Sequence, residues 1–282
     1  MNKWVLGARV RTLPAAIAPV VVASSLAGSE FNWFRAVLAL TVGIWLQVGV
    51  NFANDYSDGI KGTDDDRVGP IRLVASGLAS ANSVKRAALV SFLIASIAGL
   101  WLSLLTSLVL IPIGIICIAA AWGYTGGKNP YGYRGFGEIS VFIFFGIVAT
   151  VGSFYVQTEK ITLMSFIVAI PMGALSCAIL TVNNIRDLDK DKVAGKRTFA
   201  VRVGDSKARR IYVSLLILAH IAAVATFIPA TLLTLIAAPL TFTLSKLVLS
   251  QASGASLIPA LSRTGKLQLL FATLFAIALA IQ

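Results

Sequence analysis

Two acidic segments interrupt an otherwise apolar chain, and they carry the residues best suited to chemistry. Asp55 and Asp58 are spaced i, i+3, and Asp187 and Asp191 are spaced i, i+4. On a helix either spacing places both carboxylates on one face, with β-carbons roughly 5–6 Å apart. Carboxylates this close repel each other unless a cation lies between them, and Mg²⁺ is typically held by one or two carboxylates, water and substrate phosphates. The spacing therefore predicts that all four aspartates are catalytic and bind Mg²⁺.

Asparagines precede both acidic pairs. Asn51 and Asn54 precede the first pair, and Asn183 and Asn184 precede the second. Their amide oxygens can act as neutral ligands or orient bound water. Because both segments directly follow an apolar stretch and share this order, we infer a weak internal repeat of four helices. The further run at 64–66 is expected to consist of solvated loop carboxylates.

Basic and aromatic residues accompany the acidic segments. Arg72, Lys196 and Arg197 are candidate ligands for phosphate oxygens, which guanidinium groups bind in bidentate fashion. A third polar segment, 124–138, holds five glycines and four aromatic residues and reads as a compact, turn-rich loop. In this loop the ammonium group of Lys128 is a candidate for binding an anion. Tyr124, Tyr131 and Tyr133 offer hydroxyl donors and electron-rich rings able to stabilise a cation.

The elements that position these residues are long and apolar. The chain is 57% hydrophobic and only 13% charged, which is about half the charge of an ordinary soluble domain. Stretches free of charge run over 12–29, 36–54, 87–127, 139–158, 161–185, 211–245 and 267–282. About 20 apolar residues cross a bilayer, so the two longest stretches must each hold two spans, with breaks near 103–107 and 227–231. We predict one all-α membrane domain over 1–282 with about nine transmembrane helices.

The distribution of charge predicts the orientation. Threading nine spans places 22 of the 24 basic residues on the face of the N-terminus, and only Arg35 and Lys160 opposite. Ten of the 12 acidic residues share the crowded face, all but Glu30 and Glu159. The positive-inside rule puts that face and the N-terminus in the cytoplasm of a cell whose plasma membrane holds the protein. The net charge of +12 thus reflects topology and argues against nucleic-acid binding.

Three smaller features complete the interpretation of the spans. The apolar N-terminal segment is expected to be a retained first span and not a cleaved secretory signal. Cys117 and Cys177 fall in expected spans and are interpreted as small core residues outside any disulfide or metal site. The lone His220 is expected to form a hydrogen bond to a neighbouring helix.

Taken together, the motifs resemble those of the UbiA superfamily of intramembrane aromatic prenyltransferases. The resemblance rests on R-T-L-P-A-A at 11–16, N-D-Y-S-D-G-I-K-G-T-D at 54–64, G-P-I-R at 69–72, Y-T-G-G-K-N-P-Y-G-Y-R-G-F-G-E at 124–138 and N-N-I-R-D-L-D-K-D-K-V-A-G-K-R-T at 183–198. Within the superfamily it is most similar to the branch that prenylates 1,4-dihydroxy-2-naphthoate in menaquinone biosynthesis. One departure is Lys128, where the related loop leads us to expect proline or a small residue.

The resemblance implies nine helices around a central cavity open to the cytoplasm. It further implies that Mg²⁺ held by the four aspartates clamps the diphosphate of a polyprenyl donor, with Lys196, Arg197 and Arg72 neutralising the remaining charge. The expected product is demethylmenaquinol, formed with release of CO₂ and diphosphate.

Two other functional classes, and another acceptor, stay open at this point. A related prenyltransferase acting on 4-hydroxybenzoate would carry the same metal and diphosphate residues. A secondary transporter would also combine many spans, polar residues and a repeat, but its ionisable residues would lie in the middle of spans. Transfer of a phospho-alcohol also needs acid-bound Mg²⁺, yet Asp58 and Gly59 are followed by Ile60 and Lys61, and not by the D-G-x-x-A-R arrangement.

Overall fold

The computed structural model describes residues 2–63, 69, 71–250 and 252–282, and all regular structure within these ranges is helical. The acidic run 64–66 lies outside the described residues. The helices are α1 (Lys3–Ala8), α2 (Pro14–Leu26), α3 (Trp33–Ile60), α4 (Ala81–Leu105), α5 (Leu110–Gly123), α6 (Gly137–Thr158), α7 (Leu163–Val193), α8 (Phe199–Val203), α9 (Asp205–Val224), α10 (Pro229–Leu249) and α11 (Gly254–Ala280). The predicted all-α class is confirmed.

The apolar helices make this a multi-pass membrane protein. In the described ranges, six helices are long and apolar enough to cross a bilayer: α3, α4, α6, α7, α10 and α11. A seventh crossing arises if α2 is counted with the segment Lys3–Thr12, which meets it at a bend of 51°. The expected count of nine is not confirmed, because α5 has only 14 residues and α9 begins with a charged turn.

The two helices that end in acidic motifs are longer than a bilayer requires. Helix α3 has 28 residues and α7 has 31, or about 42 and 46 Å at 1.5 Å per residue, against a hydrocarbon thickness of about 30 Å. Their starts are fixed by capping. Asn32 accepts hydrogen bonds from the Phe34 and Arg35 amides, and Thr162 with Ser165 forms a capping box. The last turns of both helices therefore project beyond the apolar layer.

A close backbone approach sets the position of α6 against α7. A β-carbon at Gly146 would lie 2.7 Å from the Gly173 Cα, so only glycine fits at this crossing. The same stretch of α6, Phe142–Val148, is wound as a π-helix. Small residues at a helix crossing are a general device in membranes, where dispersion between backbones replaces the hydrophobic effect.

Polar contacts join the helices at the end remote from the acidic motifs. Arg35 pairs with Glu159 at 3.1 Å and donates to the carbonyls of Leu105 and Val156, near the C-terminal ends of α4 and α6. Lys160 pairs with Glu30 at 3.0 Å. The four charged residues expected opposite the crowded face thus form two ion pairs at one end of the bundle.

Within the bundle, His220 of α9 lies 3.0 Å from the Thr241 hydroxyl of α10, which is the interhelical hydrogen bond expected from the sequence.

The two cysteines are free and differ in environment. Cys177 is buried as expected, whereas Cys117 is only partly buried and lines the central cavity. The interpretation of Cys117 as a core residue is therefore wrong.

Candidate active site

A cavity of about 1060 Å³ runs through the bundle between α2, α3, α5, α6 and α7. Its mouth is polar and is formed by the last turns of α3 and α7 with the connecting segments beside them. Its depth is apolar, with side chains such as Val42, Leu102 and Phe144. Of the residues selected from the sequence, those lining it are Asn51, Asn54, Asp58, Arg72, Tyr124, Tyr131, Tyr133, Asn183, Asn184, Asp187, Asp191 and Lys196.

Asp55 and Asp58 face different surroundings, although they belong to one motif. Asp55 is fully buried, and its two oxygens accept hydrogen bonds from the amides of Leu73 at 2.8 Å and Val74 at 3.0 Å. Among the described residues that line the cavity, Asp55 is not found, whereas Asp58 is. The expectation that both carboxylates share one ion does not fit this geometry, because both Asp55 oxygens accept backbone amides away from the cavity and only Asp58 lines it.

The face of α3 that meets the cavity follows a helical stripe. Gln47, Asn51, Asn54 and Asp58 all line it, at spacings of four, three and four residues. Asn51 is held in this stripe by donating to the Ala8 carbonyl at 2.9 Å and the Thr12 hydroxyl at 3.0 Å. The stripe therefore carries amides at mid-depth and a carboxylate at the mouth.

On α7 the cavity face carries Asn183, Asp187 and Asp191. Arg186 binds the Asp187 carboxylate in bidentate fashion, at 2.8 and 2.6 Å, and also donates to Asn183 at 2.9 Å. Asn184 donates to the Glu138 carboxylate of α6 at 2.9 Å. The buried guanidinium thus fixes Asp187 at the cavity wall.

Comparison of the two helices corrects the register of the repeat. The matching unit is Asn-x-x-x-Asp, which is Asn54 with Asp58 on α3 and Asn183 with Asp187 on α7. Asp191 follows one turn later on α7 and lines the cavity, whereas position 62 on the first segment is glycine. The two acidic motifs therefore meet at one mouth through equivalent turns of two long helices.

Asp58 lies in a strongly cationic environment. Arg72 approaches its carboxylate at 3.5 Å and Lys196 at 3.6 Å, and all three side chains are buried. Lys61 lies above the ring of Tyr133, and partial burial lowers the pKa of Lys61, with Asp58 opposing and Lys196 reinforcing that shift. Two buried cations thus contact Asp58 at the mouth, and both line the cavity that an anion would enter.

Tyr133 joins the three polar segments. Its hydroxyl donates to Asp58, its ring lies under the Lys196 ammonium at 4.6 Å, and its carbonyl accepts from the Arg197 amide at 2.8 Å. The loop 124–138 thus connects the end of α3 with the segment after α7.

The other two tyrosines lie where the polar mouth meets the apolar depth. Their rings meet edge to face at 5.5 Å, and Tyr131 donates to the Ala120 carbonyl at 2.8 Å. Burial raises the pKa of both Tyr124 and Tyr131, so each hydroxyl stays protonated at neutral pH. Nearby, Thr125 donates to Asn54 at 2.7 Å and orients its amide.

Two basic residues selected from the sequence are not brought into the cavity. Lys128 is exposed in the loop, and Arg197 is exposed while its backbone amide binds Tyr133. Neither is among the described cavity-lining residues. Arg72 and Lys196 are thus the phosphate candidates that the geometry favours.

The donor set at the mouth suits a hard divalent cation that is shared with a ligand. In the described part of the chain, no group of three or more His, Cys, Asp or Glu side chains is close enough to hold a metal by itself. Carboxylates from Asp58, Asp187 and Asp191 and amides from Asn54 and Asn183 nevertheless line one space. Mg²⁺ typically takes only one or two carboxylates and completes its shell with phosphate and water, so these residues fit it.

Sequence reasoning missed several residues of the mouth. In the sequence, Arg186 contributes only to the charge asymmetry that predicts the orientation in the membrane. Thr198, whose hydroxyl lies 3.4 Å from Asp191, is not among the residues selected from the sequence. The only available signal was adjacency to the acidic motifs, since bidentate pairing of neighbouring residues depends on side-chain rotamers. Lys61 lies directly after α3 and was passed over for the same reason.

Comparison with known proteins agrees with this architecture. The model of the UbiA prenyltransferase family matches residues 16–257. The chain is 49% identical to 1,4-dihydroxy-2-naphthoate octaprenyltransferase of Mycobacterium tuberculosis, over 99% of this chain and 97% of that protein. It is 35% identical to the Escherichia coli protein of the same name, over 98% and 94% of the two chains.

Solved structures share the fold. A UbiA homolog from Archaeoglobus fulgidus bound to GPP and Mg²⁺ superposes with a TM-score of 0.70 at 13% identity, covering 100% of both chains. The apo structure of a UbiA homolog from Aeropyrum pernix K1 gives a TM-score of 0.68 at 17% identity, covering 97% and 98%. The resemblance inferred from the motifs is confirmed: the chain belongs to the UbiA prenyltransferase family.

Proposed function

We propose that this chain transfers a polyprenyl group from polyprenyl diphosphate to 1,4-dihydroxy-2-naphthoate, releasing CO₂ and diphosphate and giving demethylmenaquinol. The observation that carries the proposal is one cavity with a cationic, carboxylate-lined mouth and an apolar depth, in a chain 35–49% identical over nearly its full length to proteins named for this reaction. A polyprenyl diphosphate has the same division into a charged head and an apolar tail.

The mouth supplies what a departing diphosphate requires. Arg72 and Lys196 are buried beside Asp58 and are positioned to stabilise the negative charge that develops as the allylic carbon–oxygen bond breaks. Bound Mg²⁺ would add Lewis-acid stabilisation of the same leaving group, held by Asp58, Asp187 and Asp191 with the amides of Asn54 and Asn183. Arg186 keeps the Asp187 carboxylate oriented toward the cavity.

The tyrosines at the base of the mouth are suited to stabilising the allylic cation that forms when the diphosphate leaves. The rings of Tyr124 and Tyr131 line the space next to the diphosphate residues, and aromatic faces attract cations. Because their hydroxyls remain protonated, they donate hydrogen bonds and do not compete as nucleophiles for the allylic cation. The apolar depth excludes water that would otherwise trap the cation as an alcohol.

The second half of the reaction, in which the naphthoate attacks the cation and loses CO₂, needs few catalytic groups from the protein. The naphthoate ring attacks the allylic cation through its carboxyl-bearing carbon, which forms the new carbon–carbon bond. The bond to the carboxylate then breaks, and its electron pair returns to the ring as CO₂ leaves. No ring proton is removed in this step, so the site needs no general base for it. Prenylation of 4-hydroxybenzoate beside its hydroxyl would need one.

We further propose that the mouth and the N-terminus face the cytoplasm from the plasma membrane. The excess of Lys and Arg on the mouth face supports this orientation. A transporter is disfavoured, because the aspartates of both motifs lie in the last turns of their helices and not in the middle of spans.

The acceptor can be tested directly with purified protein. The protein is supplied with Mg²⁺, a polyprenyl diphosphate, and either 1,4-dihydroxy-2-naphthoate or 4-hydroxybenzoate, and the products are identified by mass spectrometry. We expect a prenylated naphthoquinol that has lost its carboxyl group. Prenylation of 4-hydroxybenzoate with the carboxyl retained, and none of the naphthoate, would contradict the proposal.

A further inference from the structure

A second concavity lies on the outer surface of the bundle, between α4 and α5. This groove has a volume of about 660 Å³, and Leu89 and Leu93 on its rim are 51% and 58% exposed. On α4 its lining extends from 89 to 96, about 11 Å at 1.5 Å per residue. That length suits the part of a lipid acyl chain next to its head group. The side chains that line the groove include Leu89, Leu93, Ser96, Ile118, Ala119 and Trp122.

Helix α5 separates this groove from the central cavity. Cys117 and Ala120 line the cavity, whereas Ala119 and Trp122 line the groove. The two sets lie on opposite faces of the last turns of α5. The groove therefore faces the lipid and is a separate site from the one that holds the aspartates.

The end of the groove on the mouth side is basic. Lys85 lies one helical turn before the first lining residue of α4, and its ammonium is 5.7 Å from the centre of the Tyr56 ring. That ring in turn lies 6.1 Å from the ring of Trp122. Lys128, which departs from the motif of the related loop and lies outside the cavity, is exposed and directly follows the two lining glycines at 126–127. Two ammonium groups thus flank the end of the groove at which lipid head groups would lie.

The protein supplies no anion to these two lysines. Neither Lys85 nor Lys128 forms an ion pair within the described residues, and no Asp or Glu occurs in α4, α5 or the segment 124–130. The indole N–H of Trp122 also makes no hydrogen bond to any residue that the structure describes. Tryptophan is common at the level of lipid head groups, where its ring is in contact with lipid chains and its N–H meets polar groups. The charge and the donor at this end are complementary to an anionic head group.

From this arrangement we propose that the groove binds an anionic phospholipid, with its phosphate near Lys85 and Lys128 and an acyl chain along the apolar lining. Anionic head groups attract basic side chains at the membrane surface, whereas the amine of a zwitterionic lipid is repelled by them. A polyprenyl diphosphate in this groove would be separated from both acidic motifs by α5, so the site is assigned to a phospholipid. The bound lipid would support the end of α5 from the side opposite the cavity and thereby hold the loop 124–138 at the mouth. The inference does not depend on the proposed reaction.

The test is to titrate the purified protein with dioleoylphosphatidylglycerol or dioleoylphosphatidylcholine and to count the retained lipids by native mass spectrometry. The double variant Lys85→Gln/Lys128→Gln removes both charges from the groove. Lys207→Gln/Arg210→Gln is the matched control, because it removes two exposed charges from α9.

A second pair of variants tests the groove itself. Ala119→Trp fills it from an exposed position, so the fold has room for the ring. Ile115→Trp is the matched control, because Ile115 is on the same helix, is 63% exposed and lines neither the groove nor the cavity.

We expect the wild type to retain phosphatidylglycerol in preference to phosphatidylcholine. Lys85→Gln/Lys128→Gln should bind phosphatidylglycerol at least about tenfold more weakly, with phosphatidylcholine unchanged. Ala119→Trp should lose a similar factor through overpacking, and both controls should resemble the wild type.

Equal retention of the two lipids by the wild type would overturn the proposal. Wild-type affinity for phosphatidylglycerol in either groove variant would do so too, as would an equal loss in the matched controls. If geranyl diphosphate displaces the lipid that Ala119→Trp excludes, the groove binds the donor and the proposal is wrong.

Discussion

Asp55 stabilises the segment that carries Arg72. Its carboxylate accepts the amides of Leu73 and Val74 next to Arg72 and is fully buried. A buried carboxylate that accepts two backbone hydrogen bonds holds the chain at this point against α3. Arg72, which directly precedes Leu73, then lies 3.5 Å from the Asp58 carboxylate. Asp55 therefore positions Arg72, the proposed phosphate ligand, and is not among the described residues that line the cavity.

The first prediction concerns this residue. Asp55→Asn should lower the free energy of unfolding by about 1–3 kcal/mol, because the new amide nitrogen cannot accept and leaves a buried backbone N–H unsatisfied. Thermal unfolding in detergent measures this loss. Asp189→Asn is the control, since Asp189 is exposed, and it should change stability by less than about 0.5 kcal/mol. Equal stability of the two variants would contradict the positioning role.

At the residue scale, the sequence predicts which residue types form the site, but it does not predict which way each side chain points. The sequence selected Asp58, Asp187 and Asp191, because acidic residues next to apolar spans are costly unless they serve a function, and the structure places all three on the cavity wall. It could not separate Asp55 from Asp58. That difference depends on the segment 71–79 folding back against one side of α3, which is a tertiary contact absent from helical periodicity.

The helices are held at the remote end by Arg35. Its guanidinium donates to carbonyls of α4 and α6, where the last turns of helices leave such groups unpaired. The pair Lys160–Glu30 at the same end is exposed on both sides. Exposed pairs contribute little, so the two ion pairs should differ in energetic weight.

The second prediction follows from this difference. Arg35→Ala should lower the free energy of unfolding by about 2 kcal/mol, through loss of charge-assisted hydrogen bonds to carbonyls of two helices. Lys160→Ala should lower it by less than about 1 kcal/mol. Denaturant titration of the two variants in one detergent makes the comparison. A loss of stability in Lys160→Ala as large as that in Arg35→Ala would contradict the prediction. It would show that the hydrogen bonds from Arg35 to carbonyls of α4 and α6 stabilise the protein no more than an exposed ion pair does.

At the scale of elements, breaks at polar residues could be predicted and bends inside apolar segments could not. The expected breaks near 103–107 and 227–231 correspond to the turns that follow α4 and α9. The bend of 51° before α2 follows the basic residues Arg9 and Arg11, whereas the π-helical turn in α6 carries no break in hydropathy. The π turn contains Gly146, whose close approach to Gly173 joins two residues that are distant in sequence.

At the scale of the whole molecule, the charge asymmetry predicts one orientation in the membrane. Lys128 is exposed in the loop beside the mouth, and Lys160 is exposed at the remote end. In a background in which Cys117 and Cys177 are replaced, Lys160→Cys should react with a membrane-impermeant maleimide on intact cells. Lys128→Cys should react only after permeabilisation. Labelling in the reverse order would place the mouth outside the cytoplasm.

The central claim is that equivalent Asn-x-x-x-Asp turns of α3 and α7 act together on one diphosphate. The measurement that tests it most directly is the affinity of Asp58→Asn, Asp187→Asn and Asp55→Asn for geranyl diphosphate at fixed Mg²⁺. We predict that Asp58→Asn and Asp187→Asn each weaken binding by at least about tenfold, and that folded Asp55→Asn loses less, since it acts only through Arg72. Wild-type affinity in either Asp58→Asn or Asp187→Asn would contradict the claim that both halves of the molecule hold the donor.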